Sequence, residues 1–185
     1  MNEALQSIIP PEKLEELVSI SRKIFLKPKE YFIREGEVPK KFAFVFSGLF
    51  RYVYINNKGL EFTKGIIAEH QFISSYSAMI SSKPSHFFIE ALEDSEILQI
   101  PYDKWSVFLK DDIFWVKLLL KSVESGFIIK EKRERDLLLL NAETRYLNFL
   151  KDYPDMQHRI SQSIIASYLG IQPESLSRIR KKISS

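Results

Sequence analysis

The residues whose types and spacing could do chemistry stand together near the end of the chain. In Gln172-Pro173-Glu174-Ser175-Leu176-Ser177-Arg178-Ile179-Arg180-Lys181, a carboxylate and a guanidinium lie four positions apart, with an ammonium three positions further on. At about 100° per residue Glu174, Arg178 and Lys181 share one helix face, flanked by Ser175 and Lys182, while Leu176, Ile179 and Ile183 form the opposite apolar stripe. An arginine donates to paired acceptors and a glutamate accepts from an exocyclic amine, which is the chemistry that reads base edges in a major groove. Amphipathicity alone would fit an ordinary αα-hairpin with a solvated basic face equally well. The residues just upstream separate the two readings.

Ser161 is placed to cap a first helix that buries Ile165 and Leu169 at i, i+4. Ala166 lies between them, where a second helix crossing steeply leaves room for little more than a methyl group. Gly170 ends that helix where a left-handed residue is least strained, and Ile171 plugs the turn. Pro173 and Glu174 then open the second helix, with proline at its first position and an acid in its first turn. The spacing predicts a helix-turn-helix that recognises DNA. Charge agrees: the chain carries +3, of which residues 156–185 hold +4 and residues 1–155 hold −1. Positive charge thus gathers where phosphate would be met.

Composition bounds the rest. The 185 residues suffice for one large domain or two small ones, and 45% hydrophobic with 28% charged residues is ordinary for a globular protein. There is no cysteine, which excludes disulfides, thiolate metal sites and cysteinyl iron–sulfur clusters. No cationic segment followed by an apolar run opens the chain, and no uncharged apolar stretch reaches 18 residues, so a cytoplasmic protein without membrane contact is expected. His70, His86 and His158 form no His-x-His pair, and neither a Ser/His/Asp order nor a glycine-rich phosphate loop stands out. No metal, cofactor or enzymatic activity is expected.

Along the chain, Pro10–Ile20 reads as a short amphipathic helix. From Lys23 to Pro101 short β-rich runs alternate with turns: 24–26, 31–34, 42–46, 50–55, 61–67, 87–92 and 97–100. Asn56-Asn57-Lys58-Gly59 is a hairpin turn, and many short strands at regular spacing predict a sandwich or barrel. Residues 104–109 form a short helix. A proline-free helical stretch from Asp111 to about Leu140 follows, roughly 45 Å long if continuous. Its Val116, Leu120, Val123 and Phe127 keep a 4-3-4 spacing, the seam of a coiled coil, and predict a homodimer; packing on its own β-domain is the other reading. The seam lapses over Lys130–Arg135, either a plain solvated stretch or one facing a ligand pocket or DNA backbone. Asn141 caps a further helix, 142–151, closed by Asp152-Tyr153-Pro154.

This order of elements resembles the cyclic-AMP receptor protein / fumarate-nitrate regulator (CRP/FNR) family of bacterial transcription factors. Phe32-Ile33-Arg34-Glu35-Gly36-Glu37 is similar to the family's first β-roll turn, and Phe46-Ser47-Gly48-Leu49-Phe50-Arg51 to its strand-glycine-strand step. Ile89-Glu90-Ala91 through Glu96–Pro101 resembles the closing strands, and Ala166–Gly170 with Pro173–Arg178 the recognition unit. The likeness spans nearly the whole chain. It implies an α+β architecture: a β-roll sensor (double-stranded β-helix, or jelly roll) over residues 1–110, a dimerisation helix over 111–140, and a helix-turn-helix domain over 141–185. It implies a homodimeric DNA-binding regulator in which Glu174 and Arg178 read bases. Gln162, Ser163, Gln172, Ser175 and Lys181 would be phosphate or flanking contacts. RNA polymerase and a small-molecule effector would be further partners.

Two departures from the family pattern matter. Cyclic-AMP binders hold the cyclic phosphate with a Gly-Glu and an Arg-Ser pair; here Ser74-Ser75 and Ser85-His86 stand at those places. Without the arginine a buried phosphate lacks its bidentate partner, so tight cyclic-AMP binding is not expected. Ser74, Ser75, Tyr76, Ser85 and His86 are the expected lining of a pocket for some other polar effector, or for none. The sequence also ends at Ser185, directly after the recognition helix, without the β-wing of many relatives, and weaker, more salt-sensitive DNA binding is expected per protomer. A ligand-sensing module acting through protein contacts is the alternative. A cupin-like metal enzyme, on the same roll, lacks the ligand set.

Overall fold

Alternating apolar residues and tight turns carry the chain from Arg22 to Pro101 through two antiparallel sheets. The computed structural model describes residues 3–183, and among them eight strands and nine helices follow one another. One sheet runs β1 (Arg22–Leu26), β8 (Ser95–Pro101), β3 (Lys41–Ser47), β6 (Phe72–Ile73); the other runs β2 (Tyr31–Ile33), β7 (Phe88–Ala91), β4 (Phe50–Ile55), β5 (Glu61–Ile67). All seven expected runs are strands. β6 and the short helix α3 (Tyr76–Ser81) lie where too few residues carry a period for the sequence to reveal it.

Period two explains the packing. In β3, Ala43 and Val45 face the second sheet, meeting Phe50, Ile89 and Ala91, while Phe42 and Phe44 face outward. β8 repeats this, with Ile97 between the sheets and Leu98 and Ile100 outside. That outer face is covered by helices: α1 (Glu3–Gln6) and α2 (Pro11–Ile20) bring Leu5, Leu14 and Leu17, α4 (Tyr102–Asp111) brings Trp105, and Trp115 closes the group. The inner strands β3 and β8 are therefore buried on both faces, which is why they read as nearly continuous apolar runs, whereas β1 at the edge is mostly exposed.

The strand-glycine-strand step has a steric cause. Gly48 has φ +102°, and a Cβ there would lie 2.1 Å from Ser95 Oγ and 2.7 Å from Ser95 Cα. Gly48→Ala is expected to lower stability by about 2–3 kcal/mol, from the left-handed backbone plus the forced shift of β8; urea unfolding reads this directly.

The long helix is α5 (Ile113–Leu139), about 40 Å long. It begins two residues later than the sequence predicts, because the Asp112 carboxylate accepts the Phe114 N–H at 2.8 Å and separates α5 from α4. Val116, Leu120, Val123 and Phe127 are 37% to 62% exposed. The remaining helices are α6 (Ala142–Asp152), α7 (Met156–Arg159), α8 (Gln162–Leu169) and α9 (Pro173–Ile183). Their core, Tyr146, Phe149, Met156, Ile160, Ile165, Ala166, Leu169 and Leu176, is shared with Leu49 and Ile66 of the β-domain. No helix among the described residues is long and apolar enough to cross a membrane.

Candidate nucleic-acid interface and effector cleft

Helices α8 and α9 join as their residues dictate. Ser161 Oγ accepts the Ile164 N–H, and Gly170 (φ +67°, ψ +36°) ends α8 with its N–H directed at Ala166 and Ser167 carbonyls. Ala166 is fully buried, and Ile171 is half-buried against the same core. Gln162, Ser163, Gln172, Glu174, Arg178 and Lys181 are exposed, and Ser175 is half-buried beside them. Glu174 and Arg178 thus stand one turn apart on the open face of α9. Leu176 is fully buried and Ile179 partly so, but Ile183 is 40% exposed. Its expected burial is not met, because the last turn of α9 runs past the domain core.

The charge argument changes in detail. Arg159 does not face outward for phosphate. Its guanidinium pairs with Glu69 at 2.6 Å and with Glu93, tying α7 to the β-domain. Burial, the largest single influence, would raise the Glu69 carboxyl, but hydrogen bonds from Arg159 and from backbone N–H groups, together with the Arg159 charge, outweigh it and hold that carboxyl below its usual range. Lys182 pairs with Glu143 of α6 at 2.7 Å. Helix α8 is also docked against the sheet edge: Ser167 Oγ accepts from Thr63 N at 2.8 Å and donates to Glu61 O at 3.1 Å.

Lys130–Arg135 is not a plain solvated stretch. Arg133 donates to Thr63 O at 3.1 Å and to Tyr168 O at 2.8 Å, so one guanidinium joins α5, β5 and α8. Lys132 pairs with Asp152 of α6. The lapse in the seam marks where α5 stops facing outward and holds the helical head.

The serine pair at the expected effector pocket is closed. Ser75 and Ser85 are fully buried, and Ser85 Oγ lies 2.9 Å from Ser75 Oγ and 2.8 Å from Phe87 O. Ser74 and Tyr76 are half-buried, and His86 is exposed. Ser74 N–H reaches Tyr52 Oη at 3.3 Å, and burial pushes the Tyr52 phenol up to about 12. None of these five residues lines the large cleft that does exist, a space of about 1200 Å³ between β4–β5 and α5.

That cleft is lined by Lys64, Lys117, Lys121, Lys130 and Arg133 against one carboxylate, Glu134, with apolar surface from Tyr52, Tyr54, Leu118 and Ile129. Lys64 is its most constrained cation. Its Nζ sits 3.8 Å from the Phe87 ring centroid, with Tyr52 and Tyr54 at 5.7 and 5.8 Å. Burial, and then the nearby Lys130 and Arg133, pull its ammonium down to about 8. Sequence reading missed Lys64, whereas Lys130 and Arg133 belong to the stretch for which facing a ligand pocket was one of the readings. The available signal was a lysine in the middle of the strand 61–67, where a solvated alternation does not require one.

Comparison with known proteins follows from this geometry. Residues 23–112 match the cyclic nucleotide-binding domain family. No curated protein matches the sequence. Among solved structures, the c-di-GMP-responsive global regulator CLP of Xanthomonas campestris is similar with a TM-score of 0.75 at 16% identity, over 92% of this chain and 90% of that one. A CooA mutant of Carboxydothermus hydrogenoformans gives 0.79 at 16% identity, over 100% and 84%. A transcriptional regulator of the CRP family from Thermus thermophilus gives 0.69 at 17%, over 87% and 84%. The chain as a whole has the fold of these regulators.

Proposed function

We propose that this protein is a homodimeric transcription regulator of the CRP/FNR type that reads duplex DNA with α9 and does not bind cyclic AMP tightly. The observation that carries this reading is the exposure of Glu174 and Arg178 on one face of a helix set by Ala166, Gly170 and Ile171. The apolar seam of α5 supports the second copy, since four large side chains in heptad register stand open along one line. The Ser75–Ser85 pair supports the reading on cyclic AMP, because Ser85, its hydroxyl bonded to that of Ser75, stands where the resemblance places the guanidinium a buried phosphate needs. Duplex DNA, a second copy, RNA polymerase and a small-molecule effector are the partners of such a regulator, acting in the cytoplasm without a resident cofactor or an enzymatic role.

The test is selection of bound genomic fragments followed by titration of the strongest one. Arg178→Ala is expected to weaken that fragment by about 1–3 kcal/mol and to relax selectivity at one base position. Equal affinity and selectivity in the variant would remove α9 from the reading role.

A further inference from the structure

Arg159 is a basic residue of the helical head that the β-domain has already claimed. It closes α7, and after Ile160 and the capping Ser161 the exposed Gln162 and Ser163 open α8. Its Nη1 and Nη2 donate to the two carboxylate oxygens of Glu69 at 3.1 and 2.6 Å, the parallel fork in which a guanidinium also takes a phosphate. Glu93 meets the remaining edge, its carboxylate on Nη2 and 3.4 Å from Nε. Gly48 N–H donates to Glu69 at 3.2 Å and fixes that acid in place. The side chains of Arg159, Glu69 and Glu93 are 29%, 30% and 33% exposed, so water and ions reach the triad, whereas the Arg51–Glu90 pair is buried. The tie of Ser167 to main-chain atoms of Thr63 and Glu61 is neutral, and an anion does not compete for it.

Two carboxylates carry one charge more than a guanidinium cancels. The clamp therefore offers Arg159 both the planar fork and the surplus negative charge that a backbone phosphate offers. We propose that Glu69 and Glu93 mimic a DNA phosphate: they hold Arg159, and through it the α7–α8 end of the head, against the β-domain, and a phosphate of bound duplex displaces them from the guanidinium. The contact is autoinhibitory. While it is closed, the head presents Gln162 and Ser163 to a duplex without the cation next to them in the chain. Once it opens, Arg159 adds one phosphate contact and the start of α8 is held to the β-domain less firmly. That the displacing anion is DNA rests on the regulator reading; the clamp on the head does not.

Glu69→Gln combined with Glu93→Gln keeps the shape of both side chains and removes their charge. With the full chain and the selected genomic fragment, this double variant is expected to bind about fivefold more tightly at about 0.1 M salt. The slope of log affinity against log salt should steepen by about 0.9, the signature of one added phosphate contact. Adding Arg159→Gln should return both affinity and slope to those of the parent. Asp94→Asn, which removes a neighbouring exposed acid outside the clamp, should change affinity by under about twofold and leave the slope unchanged. Without DNA, hydrogen exchange followed by mass spectrometry should quicken about tenfold over residues 156–164 of the double variant and stay unchanged in β3 and β8, which also establishes that the variant folds. A parent that binds its fragment while the double variant shows unchanged affinity and slope would overturn this proposal and leave the regulator reading standing. A gain that survives Arg159→Gln, an equal gain from Asp94→Asn, or unchanged exchange over 156–164 would overturn it as well. A parent that binds no fragment would overturn the regulator reading first.

Discussion

Leu120→Asp combined with Phe127→Asp is expected to yield a monomer that binds its selected DNA more than a hundredfold more weakly. Both side chains are more than half exposed in one protomer, at 54% and 62%. In a two-fold interface each appears twice, so the pair of substitutions withdraws four large apolar groups. At roughly 1.5–3 kcal/mol for each buried side chain, about 6–12 kcal/mol of association is lost, an upper bound that exceeds what most dimers can spare. Sedimentation velocity reads the mass and an anisotropy titration reads the DNA. The fold itself should survive, since neither residue belongs to the core of one protomer. A variant that remains dimeric would place the interface elsewhere, and a monomer with undiminished affinity would end the need for a second copy.

Arg51→Met should lose about 3–5 kcal/mol of stability, the largest effect expected from one substitution. Arg51 and Glu90 are directly opposed on β4 and β7, and both are buried. Arg51 Nε lies 2.6 Å from Glu90 Oε2, and its Nη2 also reaches Glu61 at 2.6 Å. Removing the guanidinium strands a carboxylate in the sheet with another acid beside it. Arg51→Met with Glu90→Leu should recover most of the loss, because no unpaired charge is left behind. Chemical denaturation of the three proteins gives the cycle. A single-variant loss below about 1 kcal/mol would mean that water already reaches Glu90.

These two cases mark what the chain discloses by itself. The seam, the strand runs and the α8–α9 turn are local patterns: a period of 3.5 or 2, a capping serine, a glycine that must be left-handed. Each can be read because the residues that enforce it are within about ten positions of one another. Arg51 with Glu90, Arg159 with Glu69 and Glu93, and Arg133 with Thr63 and Tyr168 are separated by 35 to 90 positions. Nothing in composition or spacing pairs them. The same limit hid the cleft, since Lys64 comes from a strand and Lys130 from a helix. It also directed attention to Ser74–His86, where the family position was known but the closure of Ser75 on Ser85 was not. Local chemistry located the helix with the open polar face; long-range charge pairing decided which cations are bound within the fold.

The head is also less independent than its sequence implies. Leu49 and Ile66 complete its core, and Arg159 and Ser167 fasten it to the β-domain. Thr63 and Glu61 of β5 thus carry hydrogen bonds that hold α8 against the sheet edge.

Hydroxyl-radical footprinting of the selected genomic fragment, with protein stoichiometry measured on the same duplex, tests the central claim most directly. Two protomers per duplex should protect two symmetry-related half-sites about 34 Å apart, one helical turn, with bases exposed to α9 in each major groove. A single unpaired footprint, protection spread evenly along the fragment, or no complex at low salt would contradict it.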